Sequence, residues 1–192
     1  LTKEDRFDIK AVNFSAYGAS FVYVDKEGKV IAPLYNYLKP YPEKLKNQFY
    51  QSYGGEILIA KETASPVLYS LNSGMQLYRI KQEIPALFNR ISFAFHLPQY
   101  LSYLLTDYPA TDITSIGCHT NLWNFNDQTY HRWVIEEKLE NCFAPILPCS
   151  TYIPFVHSNK KLIAGLGLHD SSAALIPYLI SFSEPFILLS TG

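Results

Sequence analysis

The 192-residue sequence lacks an excess of either charge. Sixteen Lys and Arg stand against seventeen Asp and Glu, a formal net charge of −1. No basic field is present to hold nucleic acid. Cysteine is scarce: Cys118, Cys142 and Cys149 are odd in number and show no CxxC spacing. They read as reduced intracellular thiols in a cytoplasmic protein, not as a disulfide frame. Cys118 adjoins His119, but no second ligand pair lies at zinc-site spacing, so the pair reads as packing and no metal site is expected. No apolar run approaches the roughly 20 residues of a membrane span, and no signal-peptide pattern is visible. Nor is there a GxxxxGK[ST] phosphate loop or a GxSxG nucleophile elbow, and Gly165-Leu166-Gly167 is too short for a dinucleotide fingerprint.

What is present is a core. Hydrophobic residues make up 48% and charged residues 17%, which excludes disorder and suits one sizeable domain. The fifteen Tyr and twelve Phe read mainly as core and rim packing. The chain starts without Met and stops at Ser190-Thr191-Gly192, directly after the apolar run Phe186 to Leu189. That run reads as a strand entering a glycine turn, and the sequence as a fragment.

Taken in order, Ile9 to Phe14 reads as a buried strand, 15–20 as a small-residue turn and Phe21 to Val24 as a second strand. Residues 25–29 form a hairpin turn with Gly28 at positive φ, and Val30 to Leu34 returns. Pro42 opens a helix over Glu43 to Tyr53 that Gly54-Gly55 ends. Helices follow over Glu56 to Thr63, from Asn72 to just before Pro85, and over one more turn, Pro85 to Arg90. Ile91 to Leu97 is a strand, and Pro98 opens the helix Gln99 to Leu105. Asp112 to His119 reads as helical, Leu122 to Phe125 as a strand and Tyr130 to Glu140 as an amphipathic helix. The mixture is α/β.

The stretch 161–175 carries the chemistry. Leu162 to Leu168 is an apolar run punctuated by Gly165 and Gly167, a buried strand leaving its sheet. Ser171 to Leu175 begins a helix with Asp170 at its mouth. His169 and Asp170 therefore fall at the carboxyl end of a strand, where open α/β sheets bind ligands. Two readings of Asp170 stand level. One is a helix N-cap worth about 1 kcal/mol. The other is a carboxylate aimed outward at the positive end of a helix dipole, able to accept a proton from a substrate hydroxyl during phosphoryl transfer.

Five separated stretches, in order, resemble the FGGY carbohydrate kinases. Val12 to Asp25 resembles the family's first sugar-contacting strand-turn-strand. Leu97-Pro-Gln-Tyr-Leu-Ser-Tyr-Leu-Leu-Thr106 is similar to the helix that usually ends in Leu-Thr-Gly. Thr111-Asp-Ile-Thr114 with Thr120-Asn-Leu-Trp-Asn124 resembles the segment Thr-Asp-x-Thr…Thr-x-Leu-Phe-Asn. Gly167-Leu-His-Asp-Ser-Ser-Ala-Ala174 resembles the stretch bearing the catalytic aspartate. Leu188-Leu-Ser-Thr-Gly192 resembles the opening of the second phosphate loop.

The resemblance implies a ribonuclease H-like (actin-like ATPase) domain, incomplete at both ends. Residues 1–192 would be most of an N-terminal sugar-binding domain, with a second, ATP-binding domain after Gly192. It implies phosphorylation of a ketose or related polyol from ATP with Mg²⁺. Asp170 would be the base, Tyr17, Gly18, His169 and Ser171 the sugar contacts, and Thr191 and Gly192 part of the phosphate loop. The isolated fragment is then expected to be inactive. The partner is a small-molecule sugar, with no nucleic acid or membrane and with homodimerisation left open. A His before the Asp is closer to rhamnulose and fuculose kinases than to glycerol or xylulose kinases. Tyr37 and Lys39 stand where many members carry Asp and Arg, which leaves the sugar's identity open. The rival readings are a non-catalytic sugar-binding or regulatory protein on the same domain and a structural actin-like ATPase.

Overall fold

A computed structural model describes residues 7–189. The strands expected near the start are shorter than the pattern promised. The Ile9 to Phe14 segment is a two-residue strand, β1 (Ala11–Val12), and the expected turn contains another, β2 (Ser15–Ala16). Neither is buried throughout, because each pairs on one edge only and with the far end of the chain. β3 (Phe21–Val24) is fully buried. The turn after it forms as expected, with Gly28 at φ 74°, but the return is a single bridge from Val24 to Val30.

The helical middle follows its punctuation. α1 (Glu43–Tyr53) starts behind Pro42, buries Leu45, Phe49, Tyr50 and Tyr53 on one stripe, and ends at left-handed Gly54. α2 (Glu56–Thr63), a 3₁₀ turn (Tyr69–Leu71), α3 (Ser73–Glu83) and α4 (Pro85–Phe88) come next. β4 (Phe93–His96) pairs antiparallel with β3, Phe21 opposite His96, and runs straight into α5 (Leu97–Thr106). Then come α6 (Ile113–Ile116) and the small hairpin β5 (Trp123–Asn124) and β6 (Thr129–Tyr130). The amphipathic helix expected over Tyr130 to Glu140 shrinks to α7 (Arg132–Glu136). Lys138 turns left-handed at φ 55° and a 3₁₀ turn (Glu140–Cys142) follows, so the periodicity outlasts the helix.

β7 (Tyr152–His157) and β8 (Lys160–Gly165) form a hairpin whose two-residue turn, Ser158-Asn159, has both φ angles positive. That is the turn whose twist suits a tight hairpin. β8 also pairs in parallel with β1, giving the order β1-β8-β7. β9 (Leu168–His169) pairs in parallel with β2, and α8 (Asp170–Ser181) departs from it. Phe186 to Leu189 is no strand.

The main core packs the helices around Trp133. Its ring meets Phe49 edge-on at 5.0 Å, and its indole N–H donates to the Asn121 carbonyl at 2.7 Å. Leu77, Ile59, Leu122 and Leu139 close the same cluster. Thus the helices form the bulk, and the paired chain ends present 165–170 at their edge.

Candidate functional site

β9 is fixed from several sides. At Gly167 the chain turns with φ 88°, and a Cβ there would lie 2.4 Å from the carbonyl oxygen of Pro98. The position therefore requires glycine both for its conformation and for its space. The Gly167 N–H donates to Asn13 Oδ1 at 3.0 Å, and its carbonyl accepts from Gln99 Nε2 at 2.7 Å. The same Gln99 nitrogen reaches Asp112 Oδ1 at 2.9 Å. Asp112 is fully buried and caps α6 by accepting from the Thr114 and Ser115 N–H groups. Its Oδ2 also accepts from the Thr114 hydroxyl at 2.6 Å. Burial raises the Asp112 pKa, and the hydrogen bonds from Thr114 and Ser115 pull against that. The Thr114 oxygen in turn accepts from the His169 N–H at 3.1 Å.

That chain of bonds sets His169 and Asp170. His169 is buried, and its ring approaches Gly18 so closely that a Cβ there would meet its Cδ2 at 2.6 Å. Asp170 follows it into solvent, its side chain 52% exposed. Asp170 is the first helical residue of α8. The N-cap is His169, which makes no side-chain cap bond, so the cap reading of Asp170 is corrected. Asp170 Oδ1 accepts instead from the neighbouring Ser171 N–H at 2.7 Å and lies 3.5 Å from His169 Nε2.

Of the expected site residues, Gly18, His169, Asp170 and Ser171 come together. Tyr17 is half-buried on the same loop as Gly18, its ring 5.7 Å from that of Tyr37. Thr191 and Gly192 lie outside the described residues. Asn13, Gln99, Asp112 and Thr114 join the site without having been expected there. The signal was there for two of them: Asp112 followed by Thr114 and Ser115 is a capping pattern. A cleft of about 350 Å³ between the 35–41 loop and α3 is lined by Tyr35, Lys39, Gln76 and Arg79. His169 and Asp170 are not part of its wall. The link between the two places is Gln76, which donates to the Ala19 carbonyl at 2.7 Å.

Two further donors face His169. Cys118 Sγ lies 3.2 Å from His169 Nε2 and 2.9 Å from His119 Nδ1. Burial lowers the pKa of both imidazoles and raises that of the thiol, with the Asp170 carboxylate adding to the rise at Cys118.

His96, behind the site, is 1% exposed. Its Nε2 sits 2.9 Å from the Ser73 hydroxyl, and its Nδ1 has no partner. Burial, reinforced by the His169 and His119 rings, pushes its pKa down to about 3. The unfolded chain then takes up this proton first, so stability is whole above the ordinary histidine pKa. It is lost as pH falls from there toward about 3. Lowering the pH from about 7.5 to about 5 is expected to remove about 2 kcal/mol through His96. Urea unfolding of the protein and of His96→Gln at both pH values isolates this contribution. An equal acid loss in the two proteins would assign it elsewhere.

No family model matches the chain. Its fold is shared with solved carbohydrate kinases. One is a carbohydrate kinase from Novosphingobium aromaticivorans, with TM-score 0.77 and 22% identity, over 88% of this chain and 38% of that one. A xylulose kinase from Rhodospirillum rubrum matches at 0.77 and 14%, over 90% and 37%. A glycerol kinase from Plasmodium falciparum, solved with ADP, matches at 0.75 and 16%, over 90% and 36%. At these identities the likeness is one of fold. The chain spans little more than a third of the length of these kinases.

Proposed function

We propose that the chain is the sugar-binding domain of an ATP-dependent carbohydrate kinase of the FGGY type, on a ribonuclease H-like fold, with Asp170 as its base. The observation that carries this reading is the exposed Asp170 carboxylate at the start of α8, beside buried His169, in a fold shared with carbohydrate kinases.

Asp170 accepts from Ser171 through Oδ1, which leaves Oδ2 for a sugar hydroxyl. A hydroxyl donating there would be held by the carboxylate, which takes its proton as the phosphoryl group arrives. Phosphoryl transfer asks chiefly for such positioning. His169, Ser171, Tyr17 and the backbone at Gly18 hold the sugar, and His169 favours a 6-deoxyketohexose such as rhamnulose or fuculose. ATP and Mg²⁺ belong to a second domain, with Thr191 and Gly192 at the phosphates. Among the described residues, the one group of three metal-type donors is a thiol and two imidazoles. That set does not fit Mg²⁺, which takes oxygen ligands, and Mg²⁺ is given no place in these steps.

Calorimetric titration of the 192-residue protein with ketoses, aldoses and polyols tests the reading without requiring turnover. Saturable binding of at least one ketose or polyol is expected, weakened about tenfold or more by His169→Ala, which removes a buried polar contact. Failure of every sugar in the panel to bind would overturn it.

A further inference from the structure

Sequence spacing gives Cys118-His119 no companion, but the fold brings one from 50 residues further along the chain. Cys118 Sγ, His119 Nδ1 and His169 Nε2 all lie within 4.8 Å of one another. The thiol has one proton and two nitrogens at contact distance, 2.9 and 3.2 Å away. Hydrogen bonding can join these three only if the ring tautomers are matched to the thiol, whereas a cation takes a lone pair from each. The Asp170 carboxylate, 3.5 Å from His169 Nε2, adds negative charge beside the three donors.

We propose that Cys118, His119 and His169 form a binding site for a borderline-soft divalent cation of the zinc class, with the fourth position open. Thiolate and imidazole are the donors such ions prefer, and three protein ligands with one open position is a recurrent zinc arrangement. Zinc bond lengths place a sulfur and a nitrogen on one tetrahedral ion about 3.5 Å apart. Closure on the ion therefore asks the sulfur to part from the nitrogens now 2.9 and 3.2 Å away by roughly half an ångström or less. Cys118 and His119 are half-buried and have room to do so. Buried His169 is held in place through its N–H bond to Thr114 and its contact with Gly18. The balance is simple: the Cys118 thiol loses its proton to solvent, its sulfur lone pair goes to the cation, and the two imidazoles donate lone pairs while neutral.

The site shares His169 with the proposed sugar contacts, but the metal's own spectrum reports it whether or not a sugar binds. Co²⁺, the visible stand-in for zinc, is titrated into the reduced 192-residue protein. One equivalent is expected to give a thiolate-to-cobalt charge-transfer band and intense tetrahedral bands, which Zn²⁺ then bleaches. Cys118→Ser is expected to abolish the charge-transfer band. His119→Gln is expected to weaken binding by at least the roughly 10–100-fold that even outer-shell changes cost. Cys149→Ser removes an exposed free thiol and should leave the spectrum unchanged. A saturated cobalt spectrum without sulfur ligation overturns the proposal in the unsubstituted protein, where misfolding of a variant plays no part. So does loss of the charge-transfer band in Cys149→Ser.

Discussion

Asp170→Asn is expected to fold like the parent and to lose about 10²–10⁴-fold in turnover, the usual scale for removing a general base. The assay needs this domain joined to the ATP-binding domain that the proposed function invokes. The structure makes the substitution discriminating. Asparagine keeps an oxygen for the Ser171 N–H, now accepted by Asp170 Oδ1 at 2.7 Å, so the start of α8 is not disturbed. At 52% exposure the side chain carries little packing, and stability should stay within about 0.5 kcal/mol of the parent. What disappears is the charge and the site for a proton. A variant with near-parent turnover would remove Asp170 from the chemistry and reopen the reading of a sugar-binding protein without catalysis. A variant that unfolds would instead mark a structural role for the carboxylate.

The second large effect is Gly167→Ala, which is expected to cost about 2–5 kcal/mol of stability. Two penalties combine. The backbone sits at φ 88°, where a Cβ costs about 1–2 kcal/mol. That Cβ would also lie 2.4 Å from the oxygen and 2.5 Å from the carbon of the Pro98 carbonyl. These are backbone atoms at the head of α5, so relief requires moving a helix, and overpacking of this kind costs a further 1–3 kcal/mol or so. Moving α5 away would also stretch the Gln99 bonds to Gly167 and Asp112. Guanidinium and thermal unfolding should show the loss as a fall of about 10 °C in Tm for a chain of this length. A change under about 1 kcal/mol would mean that α5 and β9 slide apart freely.

Helix ends are written locally in this sequence. Pro42, Gly54, Pro85 and Pro98 fix helix ends through φ restriction, a missing N–H or a left-handed cap. α1, α2, α3, α4 and α5 accordingly fall close to where that chemistry places them. β3 and β4 were legible as apolar runs. β1 was legible only inside a longer expected strand, and β2 was not, because the extent of both depends on partners about 150 residues away. β7 was missed altogether: Pro154 interrupts it, and its burial is confined chiefly to Phe155. In the site, His169 and Asp170 stood out because a strand-to-helix junction is a local pattern. The approach of Cys118 to His169 and the use of Gln99 as a strut are tertiary facts without a local trace. Lys138 explains the other miss, since a single left-handed residue ends a helix that periodicity alone would continue.

The Asn13 bond to Gly167 spans 154 residues, and both parallel pairings next to it join equally distant segments. This has a consequence for the order of events in folding. Closing so long a loop costs only logarithmically more entropy than closing a short one, but non-local pairing of this kind is slow to find. The helices around Trp133 need far shorter excursions and can assemble first. During synthesis, the segments of β1 and β2 emerge well before β8 and β9 and wait for them with open hydrogen-bonding edges. The pocket of His169 and Asp170 thus comes into being only when these two distant segments meet across a helical body already in place.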